Sequence, residues 1–313
     1  MKNIKALYFL IILFLSFKGI MAQEENIILK TPTGDIDGTL MLPEIKQNIP
    51  VVLIIAGSGP TDRNGNNESM ENNAYKYLAD ALSKNGIASV RYDKRGIARS
   101  QDAMVQESDM RFETYINDVK SWIDKLSKDG RFSRIIIAGH SEGSLLGMIA
   151  AENNINVTAF ISIAGAGRPA DVILKEQLSE SPQKVKDMVF PMIDTLKKGD
   201  TIREVPKYFY ALFRPSIEPY MISWFKYNPQ EEIKKLNIPV LIIQGLNDLQ
   251  VTRQDAELLH EGLPIAKLVL VDKMNHVLKI IEGDKKANKR AYDNPDLPLA
   301  DDFVKAVLDF IKK

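Results

Sequence analysis

Apolar and polar positions alternate along residues 27–42, with turn signals at Thr31-Pro32, Gly34-Asp35 and Asp37-Gly38. That pattern predicts a small antiparallel hairpin or meander. The pattern then changes to short β-branched apolar runs at Val51–Ala56, Ile87–Tyr92, Ile135–Ala138, Ala159–Ala164, Val240–Ile243 and Lys267–Val271. These runs barely alternate, as strands do when helices cover both faces of a parallel sheet. The segments between them have helical spacing. Met70–Lys84 sets Tyr77, Leu78, Ala81 and Leu82 on one face and stops at Asn85-Gly86. Phe112–Lys128 does the same with Ile116, Val119, Ile123 and Leu126, and stops at Asp129-Gly130. Gly143–Glu152, Thr252–Glu261 and Asp301–Ile311 complete the helices. Strands alternating with helices imply βαβ units and an open, mostly parallel sheet of the α/β class.

One stretch breaks the alternation. Residues 168–231 separate the strand near 160 from the strand near 240, whereas a crossover needs only about a dozen residues. This predicts a cap with helices of its own. It holds Tyr208, Phe209, Tyr210, Phe213, Tyr220, Trp224, Phe225 and Tyr227. Part of that aromatic set is expected to form the cap's own core. Phe213, Tyr220 and Trp224 are the candidates to wall a substrate pocket, since such pockets are mostly apolar.

Composition removes several classes of chemistry. The chain has 313 residues, 41 basic and 41 acidic, three histidines and no cysteine. No disulfide, thiolate metal site or cysteine nucleophile is possible. Balanced charge gives no electrostatic footprint for nucleic acid, and the histidines lack the spacing of a zinc site. Neither a metal nor a cofactor is expected. Residues 1–22 stand apart: Lys2 and Lys5, an apolar run from Ala6 to Phe17, Lys18, then Ile20, Met21 and Ala22 before polar Gln23. This reads as a signal peptide cut after Ala22, leaving 23–313 as one secreted or periplasmic domain without stable membrane association. The run is short for a bilayer span, so a retained anchor is the lesser alternative.

Gly139-His140-Ser141-Glu142-Gly143 lies between a predicted strand and a predicted helix, the context in which G-x-S-x-G presents a nucleophilic serine on a sharp turn. The flanking glycines leave room for strand and helix to approach, and the Glu142 N–H can face an oxyanion with the helix dipole behind it. A serine nucleophile needs a base. His140 adjoins Ser141 on a turn where neighbouring side chains point apart, and His260 sits on a helix. His276, in the loop after the last strand, remains. The orienting acid should precede the histidine in the chain. Asp248, at the end of Val240–Ile243, fits; Asp272 is too near His276 in sequence and Asp255 falls within a helix. A second oxyanion amide is expected from Ala56-Gly57-Ser58-Gly59-Pro60, with Ser58 preferred and Gly57 or Gly59 open. Pro60 has no N–H.

With those residues in place, the chain resembles the α/β-hydrolase superfamily. The pairing of AGSGP with TDRNGN, and of RYDKRG with IARS, resembles its serine aminopeptidase-like (S33-type) branch of hydrolases and esterases. Ala56 stands where that branch often has histidine, and Ala98 where it usually has glycine. The resemblance implies a mostly parallel eight-stranded sheet flanked by helices, and hydrolysis. A small or medium acyl ester is the leading substrate class and a short peptide the second. A non-catalytic binding protein on the same fold is the third reading. An aminopeptidase would need a carboxylate for the substrate amine, and the cap offers Glu204, Glu218 and Glu231. Gly165-Ala166-Gly167-Arg168-Pro169-Ala170 matches a dinucleotide fingerprint only in part. Asp62, Arg63, Asp93, Lys94 and Arg95 are expected to form ion pairs between loops rather than to touch substrate.

Overall fold

The structure is a computed structural model and describes residues 23–313. The export signal expected at residues 1–22 lies outside the described residues. Strands β1 (Gln23–Thr31) and β2 (Gly34–Leu42) form the predicted hairpin. There follow β3 (Ile49–Ile55), α1 (Ala74–Lys84), β4 (Ala88–Tyr92), α2 (Phe112–Ser127), β5 (Phe132–His140), α3 (Glu142–Ala151) and β6 (Val157–Ile163). The cap segment contributes α4 (Ala170–Gln177), α5 (Gln183–Lys197), α6 (Tyr210–Phe213), α7 (Glu218–Trp224) and α8 (Pro229–Ile233). The chain then completes β7 (Val240–Gly245), α9 (Arg253–Gly262), β8 (Lys267–Val271), α10 (Lys285–Arg290) and α11 (Asp301–Ile311).

The eight strands run in the order β1-β2-β4-β3-β5-β6-β7-β8. β2 is antiparallel to both β1 and β4, and the remaining pairs are parallel. Residues of period two divide between two cores. Val51, Leu53 and Ile55 pack on one side with Phe112, Trp122 and Phe160. Val52 and Ile54 pack on the other with Leu78, Leu82, Phe303 and Val307. Both faces are therefore buried, which is why the central strands read as continuous apolar runs. Each large side chain so buried contributes about 1.5–3 kcal/mol. Parallel connections bring the carboxyl ends of β3, β5, β6 and β7 to one edge, where a ligand site is expected. Among the described residues no helix is long and apolar enough to cross a membrane.

Two features were not legible in the sequence. β5 extends past Ala138 to His140, leaving Ser141 alone between strand and helix. The segment after His276 contains α10, which lacks any apolar period to betray it.

Candidate active site

Ser141 has φ 55° and ψ −122°, a region a non-glycine residue occupies only under constraint. The constraint is visible. Its N–H donates to the Ile163 carbonyl at 2.9 Å, tying the turn to β6. A Cβ on Gly139 would lie 2.2 Å from the Gly143 carbonyl oxygen, and one on Gly143 would lie 2.4 Å from that of Ile55. The two glycines let β3, β5 and α3 meet at backbone distance, and the serine is held at the sheet's edge. Ala98 also has a positive φ, 43°, which accounts for glycine being usual there in the chains it resembles.

His276 and Asp248 come together: Nδ1 lies 2.8 Å from Asp248 Oδ2. The Asp248 side chain is fully buried and that of His276 is 6% exposed. Asp248 Oδ1 accepts the Gln250 and Val251 N–H groups at 2.7 and 3.0 Å, and Oδ2 also accepts from Gln244 at 3.2 Å. Burial pushes the Asp248 carboxyl up, but His276 and the two amides outweigh it and hold it below the usual range. The competing acids are elsewhere. Asp255 closes the N-terminal capping box of α9 and binds Arg168 through both oxygens, and Asp272 is exposed. Asn288, on α10, braces both halves of the pair. Its Oδ1 accepts from Asn275, and its Nδ2 donates to the Asn247 carbonyl.

The His140 ring is built into the wall of the site. Its ring lies 4.6 Å from that of His276, centroid to centroid. The His276 carbonyl can only accept, so His140 Nε2 carries the proton it donates there at 2.8 Å. Nδ1 then accepts from the Tyr75 hydroxyl at 2.8 Å, and that hydroxyl accepts the Gly57 N–H at 3.2 Å. Burial raises the Tyr75 phenol and so keeps it a donor. Burial, and then the neighbouring His276, lower His140 to about 3, so it is a neutral ring.

The Glu142 side chain is bonded to neighbouring elements rather than solvated. Its carboxylate is buried, pairs with Lys94 Nζ at 3.1 Å and accepts from the Tyr220 hydroxyl. The other loop charges also pair. Arg63 bridges Asp37 and Asp93 at 2.5 and 2.6 Å, and Arg95 binds both oxygens of Asp118. Asp62 accepts the N–H groups of Asn64 and Asn66.

Three cavities meet at this edge. Ser141 and His276 line the first with Gly57, Ser58, Asn67, Asn72, Tyr75, Gln250 and Tyr292. Ser141 and His276 make no hydrogen bond to each other among the described contacts; such bonds tighten in the substrate complex. The second cavity runs from Ser141, Ser58 and Glu142 to Leu145, Ile173, Leu174 and Trp224. The third lies beyond Ser58 and Glu142, under Tyr220, Met221 and Trp224. Tyr220 and Trp224 are thus cavity walls. Phe213 is a correction: at 1% exposure it is a residue of the hydrophobic core and lines none of the three.

The sheet order and the strained serine turn between β5 and α3 are those of the α/β-hydrolase fold. Within it, residues 64–207 match the family model described as serine aminopeptidase, S33; the match contains Ser141 and ends before Asp248 and His276. Esterase EstD of Thermotoga maritima is 28% identical over 265 residues, which are 82% of this chain and 60% of that protein. The chain therefore spans about three-fifths of that curated relative. Among solved structures, Est1E from Butyrivibrio proteoclasticus superposes with a TM-score of 0.59 at 16% identity, covering 92% of this chain and 96% of that one. The α/β hydrolase GrgF from Penicillium sp. sh18 gives 0.62 at 15% identity, with 93% and 98% covered. These likenesses show the fold.

Proposed function

We propose that the chain hydrolyses carboxylic esters of small or medium acyl groups by way of an acyl-enzyme. The observation that carries this reading is the buried 2.8 Å His276–Asp248 bond beside the cavity that His276 shares with the strained Ser141. Asp248 occupies Nδ1 and leaves Nε2 to act. Ser141 Oγ attacks the acyl carbonyl carbon while His276 Nε2 takes its proton. The tetrahedral intermediate collapses, the C–O bond to the alcohol breaks, and His276 returns the proton to the departing oxygen. Water repeats the sequence on the acyl-enzyme and releases the acid. The N–H groups of Ser58 and Glu142 hold the oxyanion. The Gly57 amide is not a candidate, because it is already bonded to Tyr75. The leaving alcohol belongs on the His276 side, among the polar groups of the first cavity. The acyl group belongs in the second, against Leu145, Ile173, Leu174 and Trp224.

An ester is favoured over a peptide by where the cap's carboxylates are, since Glu142 and Glu107, which do line these cavities, are already paired with Lys94 and Arg214. Glu231 pairs with Lys234, Glu218 is buried and accepts the Ile202 N–H, and Glu204 is exposed. None of the three lines a cavity at Ser141. EstD is named an esterase, which supports the same reading. Export through residues 1–22 belongs to this proposal too, on their composition, and N-terminal sequencing of the mature protein from the producing cell tests it. The reaction is tested with nitrophenyl esters from acetate to octanoate set against aminoacyl anilides. Ester turnover is expected to dominate and to fall by about 10⁴–10⁶ in Ser141→Ala. Anilide turnover exceeding ester turnover, or an active Ser141→Ala, contradicts the proposal.

A further inference from the structure

Lys94 is used by nothing in the mechanism above, yet its side chain is 2% exposed and sits behind the oxyanion site. Its ammonium makes three contacts. It donates to the Gly57 carbonyl at 2.5 Å, pairs with Glu142 Oε2 at 3.1 Å and lies 5.2 Å from the centre of the Tyr115 ring. The Gly57 carbonyl and the Ser58 N–H belong to the same peptide unit, and the described chain has no cis peptide. In a trans peptide these two groups point in opposite directions. A carbonyl turned to Lys94 therefore sends the Ser58 N–H the other way. Gly57 lies against Ser141, since a Cβ added to it would be 3.1 Å from the Ser141 Cβ. On the other side, the Gly57 N–H is held by Tyr75. Both peptide planes flanking Gly57 are thus fixed from behind.

Resting on the ester-hydrolase reading, we propose that Lys94 is the positioning residue of the oxyanion hole: it fixes the Gly57–Ser58 peptide so that the Ser58 N–H faces the developing oxyanion, and through Glu142 it ties that peptide to the second donor and to the cap. The ammonium also polarises the carbonyl it binds, which strengthens the N–H of the same peptide as a donor. Without it, the glycine-flanked peptide is free to turn, and a rotated plane presents no donor. Glu142 completes the link, because its backbone supplies the other N–H while its carboxylate binds Lys94 and receives the Tyr220 hydroxyl from α7. The cap and both oxyanion amides share one buried polar cluster.

The test compares the wild type with Lys94→Met/Glu142→Gln, which leaves no unpaired charge in the interior, and with Lys94→Gln, which keeps a neutral donor. Three quantities are read: kcat and KM on nitrophenyl acetate, the affinity of an alkyl boronic acid that mimics the tetrahedral adduct, and circular dichroism. In the double variant kcat is expected to fall by about 10²–10³, the usual effect of losing one oxyanion donor. Boronate affinity should fall in parallel while KM stays within about threefold, because the hole acts on the transition state. Lys94→Gln should lie between the two. A merely structural role would move melting behaviour without this split. A folded double variant with kcat within about threefold of wild type overturns the proposal. So does failure of both variants to fold, since Lys94 would then belong to the fold rather than to the hole. Fluorophosphonate labelling of the wild type separates the two readings: an unlabelled Ser141 sinks the hydrolase reading, whereas a labelled Ser141 with an unaffected variant sinks only the role of Lys94.

Discussion

Asp248 differs from the other carboxylates around His276 in having every contact a triad acid needs: full burial, two backbone donors on one oxygen and the imidazole on the other. Asp248→Asn preserves this shape but offers the ring a donor where it needs an acceptor, favouring the wrong tautomer. Ester turnover is expected to drop roughly 10⁴-fold. Asp272→Asn, on an exposed side chain, should change it by less than about twofold, and the opposite ranking in steady-state kinetics would reassign the acid. The positions of Ser141, Asp248 and His276 were legible because each follows a strand's carboxyl end, where chain order and turn signals reveal position. The ion pairing of Lys94 was legible too, but its bond to the Gly57 carbonyl and the contacts of Tyr75, His140 and Asn288 were not. They act through backbone groups of other loops, and nothing in local sequence records which carbonyl a distant side chain will meet.

The cap divides by burial in a way its aromatic composition does not show. Phe213 is buried in the hydrophobic core and lines none of the three cavities, whereas Trp224 stacks on Phe112 with ring centroids 5.9 Å apart and turns toward two cavities. Phe213→Ala should therefore cost about 3–5 kcal/mol in urea unfolding, the range for a buried phenylalanine, and leave acyl-length preference alone. Trp224→Ala should shift that preference, by a graded amount because one methylene in an apolar pocket is worth about 1–3 kcal/mol. The converse pattern would place the acyl pocket around Phe213. Strand and helix positions were readable because two-sided burial writes a continuous apolar run and one-sided burial a helical period. The cap was readable only as an insertion. All its helices but α5 have eight residues or fewer, and its mixture of core and pocket aromatics has no period. Outside the cap, α10 carries Lys285, Lys286, Lys289 and Arg290 with a single buried asparagine between them.

At the scale of the whole molecule, the neutral buried His140 ties stability to pH. In the unfolded chain a histidine takes up its proton near pH 6.5, but in the fold His140 does so only at about 3. Between those values the unfolded state holds the extra proton. Unfolding free energy therefore falls as the solution is acidified through this window, by up to about 1.4 kcal/mol per pH unit, and is insensitive to this group above it. Asp248, held low in the fold, adds to the acid sensitivity at the lower end of the range. His140→Gln should be less stable than wild type at pH 7.5, yet lose less stability between pH 6.5 and 4.5. Equal slopes for the two proteins in urea titrations would show that His140 is protonated in the fold.

These effects converge on whether Ser141, His276 and Asp248 work as one unit, and covalent capture asks that directly. A fluorophosphonate probe phosphonylates a serine only when a base removes its proton and a hole receives the developing charge. Wild-type protein, Ser141→Ala and His276→Ala are each treated with the probe, digested and analysed by mass spectrometry. The result expected is one adduct on the peptide containing Ser141 in the wild type and none in either variant. An adduct on another residue, or one that persists at an equal rate in His276→Ala, would contradict the account.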